Sequence, residues 1–290
     1  MSYRFKPGRK DVTADVRRIA AEEFALVRCI LADAELPVAR RVHEVRKSTK
    51  RLRSLLRLVG PSMPDARAEA LILRDAARTL SAARDCSAVV EALATLDLPA
   101  ETLHLADAAL LRARGDGLPA EEAGELLRAF GRQMRAASRR ARDWEVAPEG
   151  FNALAPGLRR GYRRLQKAFA ASQAAEDEEP LHEWRKRAKD HWHHTLLMRR
   201  IHPAAMAAHA RTAEVVADGL GSWRDYGLLI EAAGALPGRG LRKGLARDVR
   251  DAAAEAQTRM LKSAYRPTRR LTAETPGALV RRWGAYWDAG

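Results

Sequence analysis

A short basic cassette occurs twice in this chain, and its register constrains the fold more than any other feature. His43, Glu44, Arg46, Lys47 and Lys50 are matched in type and spacing by His182, Glu183, Arg185, Lys186 and Lys189. Further along, each copy is followed by an Arg-Asp pair, Arg84-Asp85 and Arg224-Asp225. The two cassette histidines are 139 residues apart and the two aspartates 140. Two unrelated motifs that keep almost one offset imply an internal duplication, so the chain is expected to fold as two like halves.

Those halves read as helical. Apolar residues recur at helical spacing, with little of the alternation that half-buried strands need. Helices are predicted over 10–35, 38–59, 64–81, 84–96, 101–114 and 120–143, then over 151–173, 180–201, 204–219, 222–235 and 240–264. A short last helix follows over Val280 to Trp287. Gly60-Pro61, Gly115 to Pro119, Pro148 to Gly150, Pro203 and Pro237 to Gly240 punctuate the series. The expected fold is all-α: two tandem antiparallel helical bundles, residues 1–146 and 150–290, related by a pseudo-twofold with a basic groove or pore between them. At 290 residues the chain is long enough for a full core.

Charge narrows the choice of partner. Lys and Arg number 52 against 37 Asp and Glu, a formal charge of +15, which favours a polyanion. Cys29 and Cys86 form neither a disulfide framework nor a metal-binding pair, and both read as small core residues in a reducing compartment. The N-terminal segment lacks the apolar run of a signal peptide, and no stretch approaches a membrane span. The expected location is the cytoplasm, with no membrane partner.

On a helix the first cassette sorts its cations onto one face. Stepping about 100° per residue, His43 shares a face with Arg46, Lys47, Lys50, Arg53 and Arg57, while Val42, Val45, Leu52, Leu56 and Val59 turn elsewhere. From His43 to Arg57 the stripe runs roughly 21 Å, longer than one phosphate needs. Arginine forks bind phosphate oxygens bidentately, lysine acts as a point charge, and histidine donates as well. Charged stripes are usually balanced by nearby acids, yet Arg46 to Arg57 contains none, so repulsion is expected to go unrelieved until an anion binds. The second copy keeps His182, Arg185, Lys186 and Lys189 but has Asp190, Trp192 and Leu196 where the first has Arg51, Arg53 and Arg57. The first half is therefore expected to dominate the affinity.

Other cations are candidates for the same groove. Arg128, Arg132, Arg135, Arg139 and Arg142 step along one helix face, and Arg159, Arg160, Arg163, Arg164 and Lys167 form a further basic series. Of these Arg132, Arg135, Arg139 and Arg163 are carried as additional contacts, with Arg84 and Arg224. Asp85 and Asp225 read as caps at a helix start in each half, or as partners of those arginines. His191, His193, His194, His202 and His209 match no closed zinc pattern, so no metal is expected. No glycine-rich phosphate loop, nucleophile elbow or HExxH motif is present, so neither a cofactor nor catalysis is expected.

These residues resemble the CHAD family, histidine-marked α-helical domains that bind inorganic polyphosphate. The resemblance rests on VHEVRKSTKRLRSLLRL at 42–58, LSAARDCSAVVEAL at 80–93, LHEWRKRAKDHW at 181–192 and LGSWRDYGLLIEAA at 220–233. It implies a duplicated pair of helical bundles and binding without turnover. It carries the anion-binding role onto His43, Arg46, Lys50, Arg51 and Arg53, and onto His182, Arg185, Lys186 and Lys189. Family members commonly have Arg-Tyr where this chain has Trp192-His193. The family often stands beside a triphosphate-processing β-barrel; no segment here reads as strand-rich, and the chain reads as a stand-alone module. Polyphosphate granules are a candidate location. The competing expectation is a nucleic-acid backbone binder, although Trp192 is the one plausible stacking platform in either cassette.

Overall fold

The computed structural model describes residues 3–114, 120–174, 177–234 and 244–290; the side chains of 81–87, 113, 114 and 120 fall outside that description. The described residues hold α-helices and short 3-10 turns, with no strand. In chain order the helices are α1 (Val12–Ala32), α2 (Val38–Val59), α3 (Ala66–Arg78), α4 (Ser81–Ala94), α5 (Ala100–Arg114), α6 (Ala120–Arg140), α7 (Ala155–Gln173), α8 (Glu179–Leu197), α9 (Pro203–Gly234), α10 (Leu245–Leu271) and α11 (Pro276–Asp288). Among the described residues none is long and apolar enough to cross a membrane.

Local chemistry explains their ends. The Asp11 carboxylate accepts the Ala14 N–H at 2.8 Å and so caps α1. Thr275 does the same for α11, with Pro276 in its first turn. Three expected boundaries are corrected. The segments 204–219 and 222–235 form one 32-residue helix, α9. Gly219 and Gly221 do not break it. Gly219 faces α10, where a Cβ would lie 3.3 Å from the Ser263 hydroxyl oxygen. Helix α10 also runs through Pro267 to Leu271. Its end is held from outside by α7, where Tyr162 donates to the Leu271 carbonyl at 2.7 Å and Gln166 to that of Thr272 at 3.0 Å. Thirdly, residues 150–153 form a 3-10 turn, and α7 starts only at Ala155.

Helix α2 lies at the centre. Val42, Val45, Leu52, Leu55, Leu56, Leu58 and Val59 are at most 1% exposed, and the helix packs against α1, α3, α7 and α8. One core cluster joins α1, α2, α3, α6 and α7 to Trp283 and Trp287 of α11. A second joins α4 and α5 to the later part of α9 and the start of α10. A third lies among α7, α8, α9 and α10. All three are closed hydrophobic contacts of the kind that dominates folding free energy, and the first two draw on residues from both sides of the 147–150 junction. That junction is itself pinned to the start of α1: Thr13 and Val146 exchange hydrogen bonds, and the Gly150 N–H donates to the Lys10 carbonyl at 2.8 Å. Cys29 is exposed rather than a core residue. It falls off the Val16, Ile19, Ala20, Phe24, Val27 stripe by which α1 enters the core. The Cys86 side chain lies outside the described residues.

Candidate functional site

The four helices that carry the repeated motifs are neighbours in a ring. Helix α2 packs on α8, α8 on α9, α9 on α4, and α4 on α2. The two cassettes thus meet across a cleft of about 330 Å3. Helix α2 supplies His43, Arg46, Lys47, Lys50 and Arg51; α8 supplies Arg185, Lys189, Trp192 and His193; α9 supplies Asp218, Gly221, Ser222 and Asp225. Six Lys and Arg side chains face two carboxylates in this lining, so its field is positive.

Not every expected residue reaches it. Arg53, Arg57, His182 and Lys186 lie outside the lining. His182 packs on Trp223 with ring centroids 4.9 Å apart and faces Glu178 at 3.5 Å. Burial and the nearby Arg224 hold its pKa below the usual histidine value. Lys186 is exposed and pairs with Glu179 and Glu183 at 3.4 and 3.7 Å. Arg224 is 4.0 Å from Glu231, and Arg163 and Arg139 are exposed without lining the cleft. The Arg84 and Asp85 side chains lie outside the described residues. Arg132 and Arg135 belong to a different groove, between α1 and α6. This corrects the expectation that they share the cassette groove. Asp225 is no cap either: it stands inside α9 and lines the cleft.

The unrelieved repulsion expected along α2 is also corrected. Arg51 pairs with Glu23 of α1 at 3.3 Å, and Arg57 pairs with Asp190 of α8. Both acids are remote in sequence, so no count within the α2 window reveals them. Arg53 lies between the paired ends, and burial, then Arg57, push its pKa down to about 10. Burial raises the Glu23 carboxyl above its usual range, against the pull of Arg51. Tyr3 buttresses the cleft wall from behind. Its hydroxyl donates to the Arg51 carbonyl at 2.9 Å, the Arg51 guanidinium lies 5.5 Å from its ring centroid, and its ring meets that of His193 edge-on. On the other wall Lys189 is 3.5 Å from Asp218 and 5.1 Å from the Trp192 ring centroid.

Asp218 and Ser222 have no role in the sequence analysis, and Asp225 has one there only as a cap or arginine partner; all three line the cleft. Their i, i+4, i+7 spacing on one helix was the available signal, but it was hidden because 204–235 was divided at Leu220-Gly221.

A family model, that of the CHAD domain, matches residues 12–234. The chain belongs to the CHAD domain family. By structure, this CHAD chain is similar to the crystal structure of the CHAD domain from the plant Ricinus communis. The TM-score is 0.55 at 14% identity, over 98% of this chain and 96% of the other. At that identity the likeness shows the fold. No curated protein matches the sequence. The family match ends at the close of α9, so α10 and α11 lie beyond the matched residues although both enter the cores described above.

In this CHAD domain His191, His194 and His209 are packing elements. His191 and His209 share a proton between their Nε2 atoms at 2.8 Å, and His194 Nε2 lies 3.2 Å from the Ser54 carbonyl oxygen. Among the described residues, no group of three or more His, Cys, Asp or Glu side chains is placed to hold a metal. Burial is the main cause that lowers the pKa of His191 and His193 well below the usual value and of His194 and His209 to about 4. At His194 and His209 the unfolded chain takes up protons from about pH 6.5 downward, whereas the native chain resists until about pH 4. Stability is therefore full above the unfolded pKa and falls as pH drops through that window. His194 alone accounts for a loss on the order of 3 kcal/mol. Thermal midpoints recorded from pH 7 to pH 4 should fall steeply below 6.5; a flat profile refutes the buried neutral histidines.

Proposed function

We propose that the ring cleft binds inorganic polyphosphate and holds it without turnover. One observation carries this reading: cations from both cassettes, far apart in sequence, line a single cleft. Membership of a family associated with polyphosphate binding supports it. Arg46, Arg51 and Arg185 offer forks to phosphate oxygens, and Lys47, Lys50 and Lys189 add point charge. A linear ligand with a charge on every unit can use all of them at once, which a single small anion cannot.

Counterion release makes such binding steeply dependent on salt. With a net surplus of four cations in the lining, the slope for a single-stranded polyanion gives about a fifty-fold loss of affinity between 50 and 200 mM salt. Calorimetric titration with polyphosphate at several salt concentrations measures it. Nucleic acid is the rival, and among the described residues Trp192 is the one aromatic ring lining the cleft apart from His43 and His193. Single-strand binders usually interleave several stacking platforms. Displacement of polyphosphate by RNA or DNA at matched phosphate concentration would overturn the assignment. Orthophosphate release with magnesium or manganese present would overturn the absence of turnover.

A further inference from the structure

A second set of arginines faces away from the ring cleft. Arg41 stands roughly 200° around α2 from His43, so the two line opposite flanks of that helix. On the Arg41 side, α1 and α6 enclose two adjoining hollows of about 600 and 490 Å3. Arg28, Arg41, Arg128, Arg132 and Arg135 surround the larger; Arg28 also lines the smaller, with Arg17, Arg18 and Arg142.

Their pairing is uneven. Arg17 meets Glu145, Arg18 meets Asp15 and Glu22, and Arg128 reaches Glu125 only at 4.0 Å. Among the described residues, Arg28, Arg41, Arg132, Arg135 and Arg142 have no carboxylate within ion-pair reach, and the buried Arg41 Nε has no hydrogen-bond partner. Arg128 and Arg132, then Arg132 and Arg135, are like charges at i, i+4 and i, i+3, an arrangement that costs helix stability unless an anion offsets it.

The remaining lining says what kind of anion fits. Val27, Leu127 and Met134 form an apolar floor and are at most 4% exposed. Such a floor lowers the local dielectric and focuses the arginine field, but it leaves little surface for the apolar face of a docked helix. Among the described residues no aromatic ring lines either hollow, so bases have nothing there to stack on. All charged lining residues are arginine, whose fork matches phosphate oxygens.

We propose that the α1–α6 groove is a second anion site, separate from the ring cleft, that takes a phosphate chain. The site stands whether or not the ring cleft binds polyphosphate. Inorganic tripolyphosphate, titrated by calorimetry into the full chain at low salt, serves as probe. Three proteins are compared: the unaltered chain, a cleft variant (Lys50→Gln, Arg185→Gln, Lys189→Gln), and a groove variant (Arg28→Gln, Arg132→Gln, Arg135→Gln). The expected result is two sites on the unaltered chain, with the groove variant losing one at least tenfold in affinity and the cleft variant retaining that same one. A groove variant that titrates like the unaltered chain overturns the second site, as does complete loss of binding in the cleft variant. Retention of the groove site beside loss of nothing in the cleft variant would instead count against the ring-cleft reading alone. Arg28, Arg132 and Arg135 are exposed, so unchanged circular dichroism is expected of the groove variant. Poly-glutamate of equal charge that binds the groove as tightly as tripolyphosphate would overturn the phosphate class in favour of an acidic polypeptide.

Discussion

Replacing Lys50, Arg185 and Lys189 together by glutamine is expected to weaken polyphosphate binding by about a thousand-fold. A hydrogen bond to a charged group contributes roughly 1.5 kcal/mol or more, and three such losses amount to about three decades of affinity. These residues face each other across the ring cleft, so the variant removes cations from both walls. Arg46 is left in place because its guanidinium donates to the Ala77 carbonyl and so ties α2 to the end of α3; truncating it would confuse binding with packing. Helicity should be unchanged, and affinity is read by titration at fixed salt. A loss smaller than tenfold would place the main site elsewhere. Variants of one wall at a time test the expectation that the first half dominates. The structure narrows the difference: Arg51 is neutralised from behind by Glu23, and Arg53 and Arg57 do not line the cleft. Helix α2 then offers Arg46, Lys47 and Lys50 against Arg185 and Lys189 of α8, a smaller imbalance than the sequence stripe suggests.

Gly157→Ala is expected to be the most damaging small substitution for stability. A Cβ at Gly157, in the first turn of α7, would overlap the carbonyl oxygen of Leu58 in the last turn of α2. The obstacle is backbone, which cannot swing aside as a side chain does, so the two helices must separate. Overpacking in a core costs about 1–3 kcal/mol and occasionally more; here about 3 kcal/mol or more is expected, read as a lower midpoint in denaturant. Gly221→Ala provides the contrast, since nothing lies within 4 Å of a Cβ there. In mid-helix that change should stabilise by up to about 1 kcal/mol. Equal effects at the two positions would refute the close contact between α2 and α7.

What was legible in the sequence was local. The bounds of α2, Val38–Val59, follow from its apolar spacing and the Gly60-Pro61 stop, and the cassettes stand out because their register is kept over 139 residues. Features decided by distant partners were not legible. Glu23 and Asp190 neutralise α2 from helices that no window around residue 50 includes. The expected gap between residues 219 and 222 is continuous helix, because Gly219 and Gly221 are accommodated within α9. The helix expected to end at residue 264 runs on through Pro267 to Leu271, where the hydrogen bonds from Tyr162 and Gln166 hold its last turn. The α6 arginines shared a helical face as read, but which groove that face meets depends on α1, and periodicity carries no information about neighbours.

The core that supports the first cassette joins the segment before α1 to α11. Phe5 packs against Trp287, and the Gly8 N–H donates to the Trp287 carbonyl at 3.0 Å. During synthesis, α2 therefore emerges long before the helix that completes its hydrophobic surroundings. The cleft wall it forms must wait for the 237 residues from Lys50 to Trp287. Contacts of such sequence separation are slow to form, because loop closure must be met before they contribute. Assembly of the cleft is thus tied to the emergence of α11, and a nascent chain that has made only the first cassette holds its cations on a helix whose core is unfinished.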